Sequence, residues 1–246
     1  MTLSAKDRLI VALDVDSSEH ALSLVDELKP FVGLFKIGSQ LFTSAGPELV
    51  SKVIKRGAKV FLDLKYHDIP NTVASAVVAA MRLGVSICNV HALGGLEMMS
   101  QVKEHCEHVA ARENLTKPIL LAVTVLTSHD QASINNLGIN EPLSDLVTRL
   151  AKLTAKAGFD GVVASAQEIA LVRAAVNSPF IILTPGLRPS WASNQDQKRV
   201  MTPEQALADG ADYLVIGRPI IADPSPANAA QKVLASLENP IIFPKS

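Results

Sequence analysis

The sequence predicts a single-domain (β/α)8 barrel over residues 1–246, and three observations lead there. Eight short aliphatic runs alternate with amphipathic stretches from one end of the chain to the other. The runs are almost continuously apolar instead of alternating, as parallel strands covered on both faces should be. No Pro/Gly/Ser-rich linker or shift in composition divides the 246 residues, and eight strand–helix units in that length match such a barrel. A doubly wound open sheet permits the same alternation, but no G-x-G-x-x-G follows the first run.

The first run, 9–15 (LIVALDV), leads to a helix over 18–29 that Ser17-Ser18 opens and Pro30 closes. The second, 34–41, precedes a helix over 47–56, begun by Gly46-Pro47 and ended at Gly57. Runs 59–65, 86–92, 118–126 and 161–166 are followed by helical patterns over 70–83, 95–113, 142–157 and 167–176. After run 180–187, Thr202-Pro203-Glu204 starts a helix that stops at Gly210, and run 213–220 is followed by 225–238. Two connections are long: 127–141 after the fifth run and 188–201 after the seventh. Both fall where the loops after barrel strands build the active face. The second holds the only tryptophan, Trp191, among small and polar residues, and reads as a mobile lid.

Composition narrows the function classes. A chain 48% hydrophobic can bury a large core, which excludes intrinsic disorder. The longest stretches without Asp, Glu, Lys or Arg are 14 residues, 83–96 and 174–187, short of the roughly 18 that a membrane span requires. The N-terminus carries charges on both sides of a short strand-like run, unlike a signal peptide. Lys+Arg 23 against Asp+Glu 24 gives a net charge of −1, which provides no global footprint for nucleic acid. Cys88 and Cys106, 18 residues apart, read as two reduced thiols. A cytoplasmic globular protein is expected, with neither a membrane nor a nucleic-acid partner.

The chemistry sits at the ends of the runs. The first ends in Asp14, the second contains Lys36, the third ends in Asp63 and Lys65, and the fourth leads to Asn89 and His91. Charge near the end of a strand that should be apolar needs a reason. Asp63 and Lys65 stand two apart and so point to one face of a regular strand. With Lys36 from the adjacent strand and Asp68 from the following turn they form an array alternating in sign. Carboxylates on either side suit Lys65 to act as a cation and proton donor. A Schiff-base lysine calls for a desolvated site or cationic neighbours.

Gly217-Arg218, after the eighth run, fits a phosphate grip: glycine lets the backbone approach and arginine supplies a fork of donors. Arg188 and Gln197 on the lid could close over the same phosphate. His20, His105 and His108 lie on helices, while His67 and His91 read as polar neighbours. No His/Cys cluster has zinc spacing. Asp63 and Asp68 could attract magnesium, but Lys36 and Lys65 would repel it, so no metal is expected.

The segment Asp63-Leu64-Lys65-Tyr66-His67-Asp68-Ile69-Pro70-Asn71-Thr72 resembles the signature of the orotidine 5′-phosphate decarboxylases. The resemblance extends through Leu13-Asp14, Phe35-Lys36-Ile37-Gly38, Asn89-Val90-His91-Ala92, Leu126-Thr127-Ser128, Thr184-Pro185-Gly186-Leu187-Arg188 and Ile216-Gly217-Arg218-Pro219. The D-x-K-x-x-D core is shared with metal-dependent ribulose- and gulonate-phosphate relatives. The extension His67–Thr72, together with Lys36, is more specific.

The resemblance implies a homodimeric barrel with sites at the subunit interface, no cofactor, and orotidine 5′-monophosphate as substrate. It places Asp14 and Lys36 on the ribose hydroxyls, and Asp63, Lys65 and the neighbouring subunit's Asp68 around the reacting carbon. Ile69 and Thr72 would come from that same neighbour. Thr127 and Ser128 would meet the pyrimidine, Pro185 would line the site, and Arg188, Gln197, Gly217 and Arg218 would hold the phosphate. Three rivals remain. A metal-dependent lyase or synthase of the same superfamily would be sensitive to EDTA. A Schiff-base aldolase would be trapped by borohydride. A silent nucleotide-binding module would bind without turnover.

Overall fold

Eight parallel strands close in chain order into a barrel: β1 (Leu9–Ala12), β2 (Leu34–Gly38), β3 (Lys59–Tyr66), β4 (Ile87–His91), β5 (Ile119–Val123), β6 (Gly161–Val163), β7 (Ile181–Thr184) and β8 (Tyr213–Ile216). The barrel shuts where β1 pairs with β8, Leu9 opposite Leu214. The computed structural model describes residues 3–192 and 201–238.

The near-continuous apolar runs divide by the two-residue period of the pleat. Inward-pointing Ile10, Ala12, Leu34, Phe61, Ile87, Leu121, Val123, Val163, Leu183, Tyr213 and Val215 fill the barrel as one cluster. The residues between them, such as Val11, Phe35, Leu62, Cys88, Val90 and Ile216, pack with the helices in a second, larger cluster. Burial on both sides of every strand is what the absence of polar alternation had implied. Gly161 belongs to the same logic, because a Cβ there would lie 2.1 Å from the Ile181 carbonyl oxygen on β7.

The helices follow closely the expected spans, at 18–28, 70–82, 95–113, 143–156, 169–175, 203–208 and 226–238. Ser17 caps the first, its hydroxyl accepting from the His20 amide at 3.2 Å. Three departures are informative. The helix expected over 47–56 does open at Gly46-Pro47, where Gly46 (φ 66°, ψ −174°) interrupts the helical backbone, but a further helical stretch from Ser39 precedes it. The buried face continues backwards through Leu41, which holds the preceding turns in place. The loop 127–141 contains a helix at Gln131–Asn136, opened by a capping box between Asp130 and Ser133. Several strands also stop short of their apolar runs, because Val125 and Leu187 are buried under the rim without joining the ladder.

The amino end of the barrel is tied by side chains. Asp160 Oδ2 accepts from the Leu120 amide at 2.7 Å, and Asp212 Oδ2 accepts from the Ile182 amide at 2.9 Å and from Arg173 Nη2 at 2.5 Å. Among the described residues no helix is long and apolar enough to cross a membrane.

Candidate active site

The inward positions that build the barrel core change character at its carboxyl end. Two residues beyond Ala12, Leu34, Phe61 and Ile87 come Asp14, Lys36, Asp63 and Asn89. Four consecutive strands therefore end in polar side chains aimed at one mouth. On the other half, the same step beyond Val123, Leu183 and Val215 gives Val125, Pro185 and Gly217. Between the two halves lies a cavity of about 300 Å³, of the size that small-molecule sites occupy. Asp14, Lys36, Asp63 and Lys65 line one wall, and Thr127, Pro185, Arg188, Gly217 and Arg218 lie around the other.

The polar wall is one connected network. Lys36 Nζ lies 3.0 Å from Asp14 Oδ1 and 3.5 Å from Asp63 Oδ2. Lys65 Nζ donates to Asp63 Oδ1 at 2.7 Å, and Asn89 Nδ2 donates to the same oxygen at 2.7 Å. Asp63 is 8% exposed and Asn89 0%. A buried carboxylate is tolerated when its lone pairs are filled by charged and polar donors; Asp63 has three such neighbours.

Lys65 reaches this place by a route that a regular strand does not provide. The β3–β4 register runs Leu62 opposite Cys88, then Tyr66 opposite Val90, so four steps on β3 match two on β4. Within this bulge Lys65 has φ 52°, a left-handed conformation that costs a non-glycine residue about 1–3 kcal/mol and collects at functional sites. Its backbone amide donates to Asn89 Oδ1 at 2.8 Å. The expected shared face of Asp63 and Lys65 is thus reached through a bulge, not by simple pleating.

Asp68 corrects the within-chain array. It is exposed and its Oδ1 accepts from the Ile69 amide at 2.6 Å; it forms no ion pair with Lys65 among the described residues. The cause is Pro70, the first residue of the helix 70–82, which holds Ile69 extended (ψ 151°) and turns the segment outward. Ile69 is 68% exposed, and Thr72 is exposed beside it. In its own chain the alternating array is Lys36, Asp63 and Lys65.

His91 and His67 stack with ring centroids 5.4 Å apart. Burial, then the neighbouring His67, Lys65 and His129, pushes His91 down to about 4. Its Nδ1 accepts from the Leu93 amide at 3.4 Å. Ser128 is exposed and outside the cavity wall, next to Thr127, which is part of it. Gly217 lies beside the polar wall: a Cβ there would stand 3.4 Å from Ala12 Cβ and 3.5 Å from Asp14 Oδ2, ordinary contact distances. The Arg188 amide donates to the Met201 carbonyl at 3.2 Å, joining the two ends of the segment after β7. Gln197, and with it residues 193–200 of the lid, lies outside the described residues. Both cysteines are buried, with burial pushing both thiols up, Cys106 to about 11. No group of three or more metal-binding side chains occurs among the described residues. Asn89 is the site residue whose contacts the sequence reading did not anticipate; its signal was an inward polar residue where β4 should have stayed apolar.

Fold and cavity together define a (β/α)8 barrel of the enzyme type, with its buried charge gathered in a cavity at the carboxyl rim. The chain belongs to the orotidine 5′-phosphate decarboxylase / HUMPS family, whose model matches residues 7–233. It is 51% identical to an orotidine 5′-phosphate decarboxylase of Geotalea daltonii, across 95% of this chain and 97% of that one. It is 49% identical to that of Moorella thermoacetica, across 96% and 94%. The crystal structure of orotidine 5′-phosphate decarboxylase from Lactobacillus acidophilus superposes with a TM-score of 0.82 at 34% identity, covering 93% of this chain and 98% of that one.

Proposed function

We propose that the protein decarboxylates orotidine 5′-monophosphate to uridine 5′-monophosphate and carbon dioxide, without cofactor or metal, in pyrimidine biosynthesis in the cytoplasm. The observation that carries this reading is Lys65 Nζ, held 2.7 Å from a buried Asp63 that also faces Lys36. Loss of carbon dioxide from C6 of the pyrimidine leaves an electron pair in an sp² orbital that the ring cannot delocalise. An ammonium fixed at that carbon stabilises the developing charge and then supplies the proton that replaces the carboxylate. Two ammonium groups in the mouth also disfavour a divalent cation there, which separates this reading from the metal-dependent branch of the family.

The remaining residues divide the substrate between them. Asp14 and Lys36, 3.0 Å apart, receive the ribose hydroxyls. Thr127 and Ser128 face the pyrimidine edge, with Pro185 against the ring. Arg188, Gly217 and Arg218 take the phosphate, joined by Gln197 from the lid. The phosphate is remote from C6, so its grip is binding energy available for closing the site over the reacting carbon.

A homodimer completes the reading. Asp68, Ile69 and Thr72 are exposed and absent from the lining of their own chain's cavity, which suits a segment that enters the neighbour's site. The partner's copy of this acid would then flank Lys65 opposite Asp63. No nucleic-acid or membrane partner is called for.

The test follows ultraviolet absorbance of orotidine 5′-monophosphate with the purified protein in EDTA, alongside carbon dioxide release. Conversion to uridine 5′-monophosphate is expected. Failure of the folded protein to convert it, with turnover of a ketose phosphate on adding magnesium, would overturn the proposal.

A further inference from the structure

We propose that Asn89 is a positioning residue for the reaction, its one side-chain amide setting both the Lys65 ammonium and the Asp63 carboxylate; this rests on the reading of Lys65 given above. Asn89 is fully buried and touches the two residues through opposite ends of its amide. The carbonyl oxygen accepts from the Lys65 backbone N–H at 2.8 Å, and the Nδ2 group donates to Asp63 Oδ1 at 2.7 Å. The chemistry of the partners fixes this orientation. Reversing the amide would set oxygen against carboxylate and N–H against N–H.

The bulge explains why a side chain is needed. Residues 63–65 all lie opposite Asn89, between the paired positions Leu62–Cys88 and Tyr66–Val90. One backbone unit on β4 cannot serve three on β3. The Asn89 side chain supplies the missing acceptor at the residue whose φ of 52° departs from the strand. Such a conformation persists only when its surroundings fix it. Without that acceptor, nothing on β4 pairs the Lys65 N–H and the residue is free to leave this conformation, so its ammonium is no longer fixed beside Asp63. Without the Nδ2 donor, Asp63 loses one of the two groups that hold Oδ1 beside Lys65 and can rotate toward Lys36, 3.5 Å from its other oxygen.

The groups facing this pair are known from every side. Lys36 stands beyond Asp63 with Asp14 behind it. His91 lies two residues further along β4, stacked on His67 and influenced by His129. From β5 the register neighbour of Asn89 is Leu121, which is apolar.

Three variants of the full-length protein decide the matter: Asn89→Ala, Asn89→Asp and Lys65→Ala, each assayed for kcat and KM and for denaturant unfolding. Asn89→Ala should lower kcat about 10²-fold, the scale of an ångström-level misplacement of a reacting group. KM should move less than about threefold, because Asp14, Lys36 and the phosphate arginines are untouched. Asn89→Asp provides a signature that a space-filling role would not. When protonated, the new carboxyl donates to Asp63 as the amide did. When ionised, it sets two carboxylates against each other, which raises the pKa of the pair. Its kcat should therefore be highest at acidic pH and fall about tenfold per pH unit above that pKa, a limb that wild type lacks.

A pH profile of Asn89→Asp parallel to wild type would overturn the inference, and so would Asn89→Ala keeping kcat within threefold. If Asn89→Ala does not fold, the Asn89→Asp profile decides. Lys65→Ala separates the two levels. Its retention of turnover would remove the role of Lys65 and this inference with it. An inactive Lys65→Ala beside unaffected Asn89 variants would remove this inference alone.

Discussion

The two ends of the barrel both carry a cavity and a set of charged side chains, yet only one is built as a site. The amino-end cavity is the larger, about 560 Å³ against about 300 Å³, and Asp7, Lys59, Arg82 and Lys117 stand around it. Its cations are spent on exposed partners: Lys117 lies 3.1 Å from Glu107, Arg82 2.7 Å from Glu113, and Lys59 3.9 Å from Asp7. At the carboxyl end the charges converge inward. The Lys36 and Asp63 side chains are only 12% and 11% exposed, and one carboxylate is shared by two ammonium groups. Volume does not choose the site. Buried, mutually constrained charge does, because fixed dipoles and ions act more strongly where water is excluded.

The sharpest way to break this contrast is to remove Lys65. Lys65→Ala should abolish nearly all turnover while the unfolding transition stays close to wild type. Activity within about tenfold of wild type, ~1.4 kcal/mol in transition-state stabilisation, would remove the assigned role. A comparable loss is expected for Asp68→Ala, although that residue lies outside its own chain's cavity. Mixing these two inactive variants should restore part of the activity, since one site in each heterodimer then has both residues. No recovery, with subunit exchange shown independently, would place Asp68 within its own chain's chemistry.

A smaller effect is expected across the mouth. Arg218→Ala should weaken binding of uridine 5′-monophosphate while leaving uridine nearly unchanged, since charge-assisted hydrogen bonds to a phosphate contribute about 1.5–3 kcal/mol. Titration of both ligands against both proteins measures it. Equal weakening of nucleotide and nucleoside would move Arg218 off the phosphate.

How much of this was legible in the sequence depends on how local each cause is. All eight strands could be read, because parallel burial leaves unbroken apolar runs, and the capped helices followed from Ser17 and Thr202. The strand ends could not, since Val125 and Leu187 are as buried in the rim as the residues within the ladder. Asp14, Lys36, Asp63 and Lys65 stood out as charges where apolar residues were due. The bulge at Lys65 did not, because it arises from a pairing between β3 and β4 that no run of residues in either strand specifies. Asp68 shows the opposite limit: spacing placed it beside Lys65, and Pro70 turned it away.

The smallest effect sharpens the comparison from the other end. Lys117→Ala removes a cation from the larger cavity and its 3.1 Å contact with Glu107, both side chains being more than 40% exposed. An exposed pair of this kind contributes at most about 1 kcal/mol, because water solvates both charges and the side chains lose freedom in meeting. Turnover and KM should stay within about twofold of wild type, and denaturant unfolding should shift by no more than that small amount. Increased ionic strength should shrink the stability difference between variant and wild type still further. A fall in kcat with unchanged unfolding would mean that charge at the amino end reaches the chemistry, and the functional separation of the two rims would no longer hold.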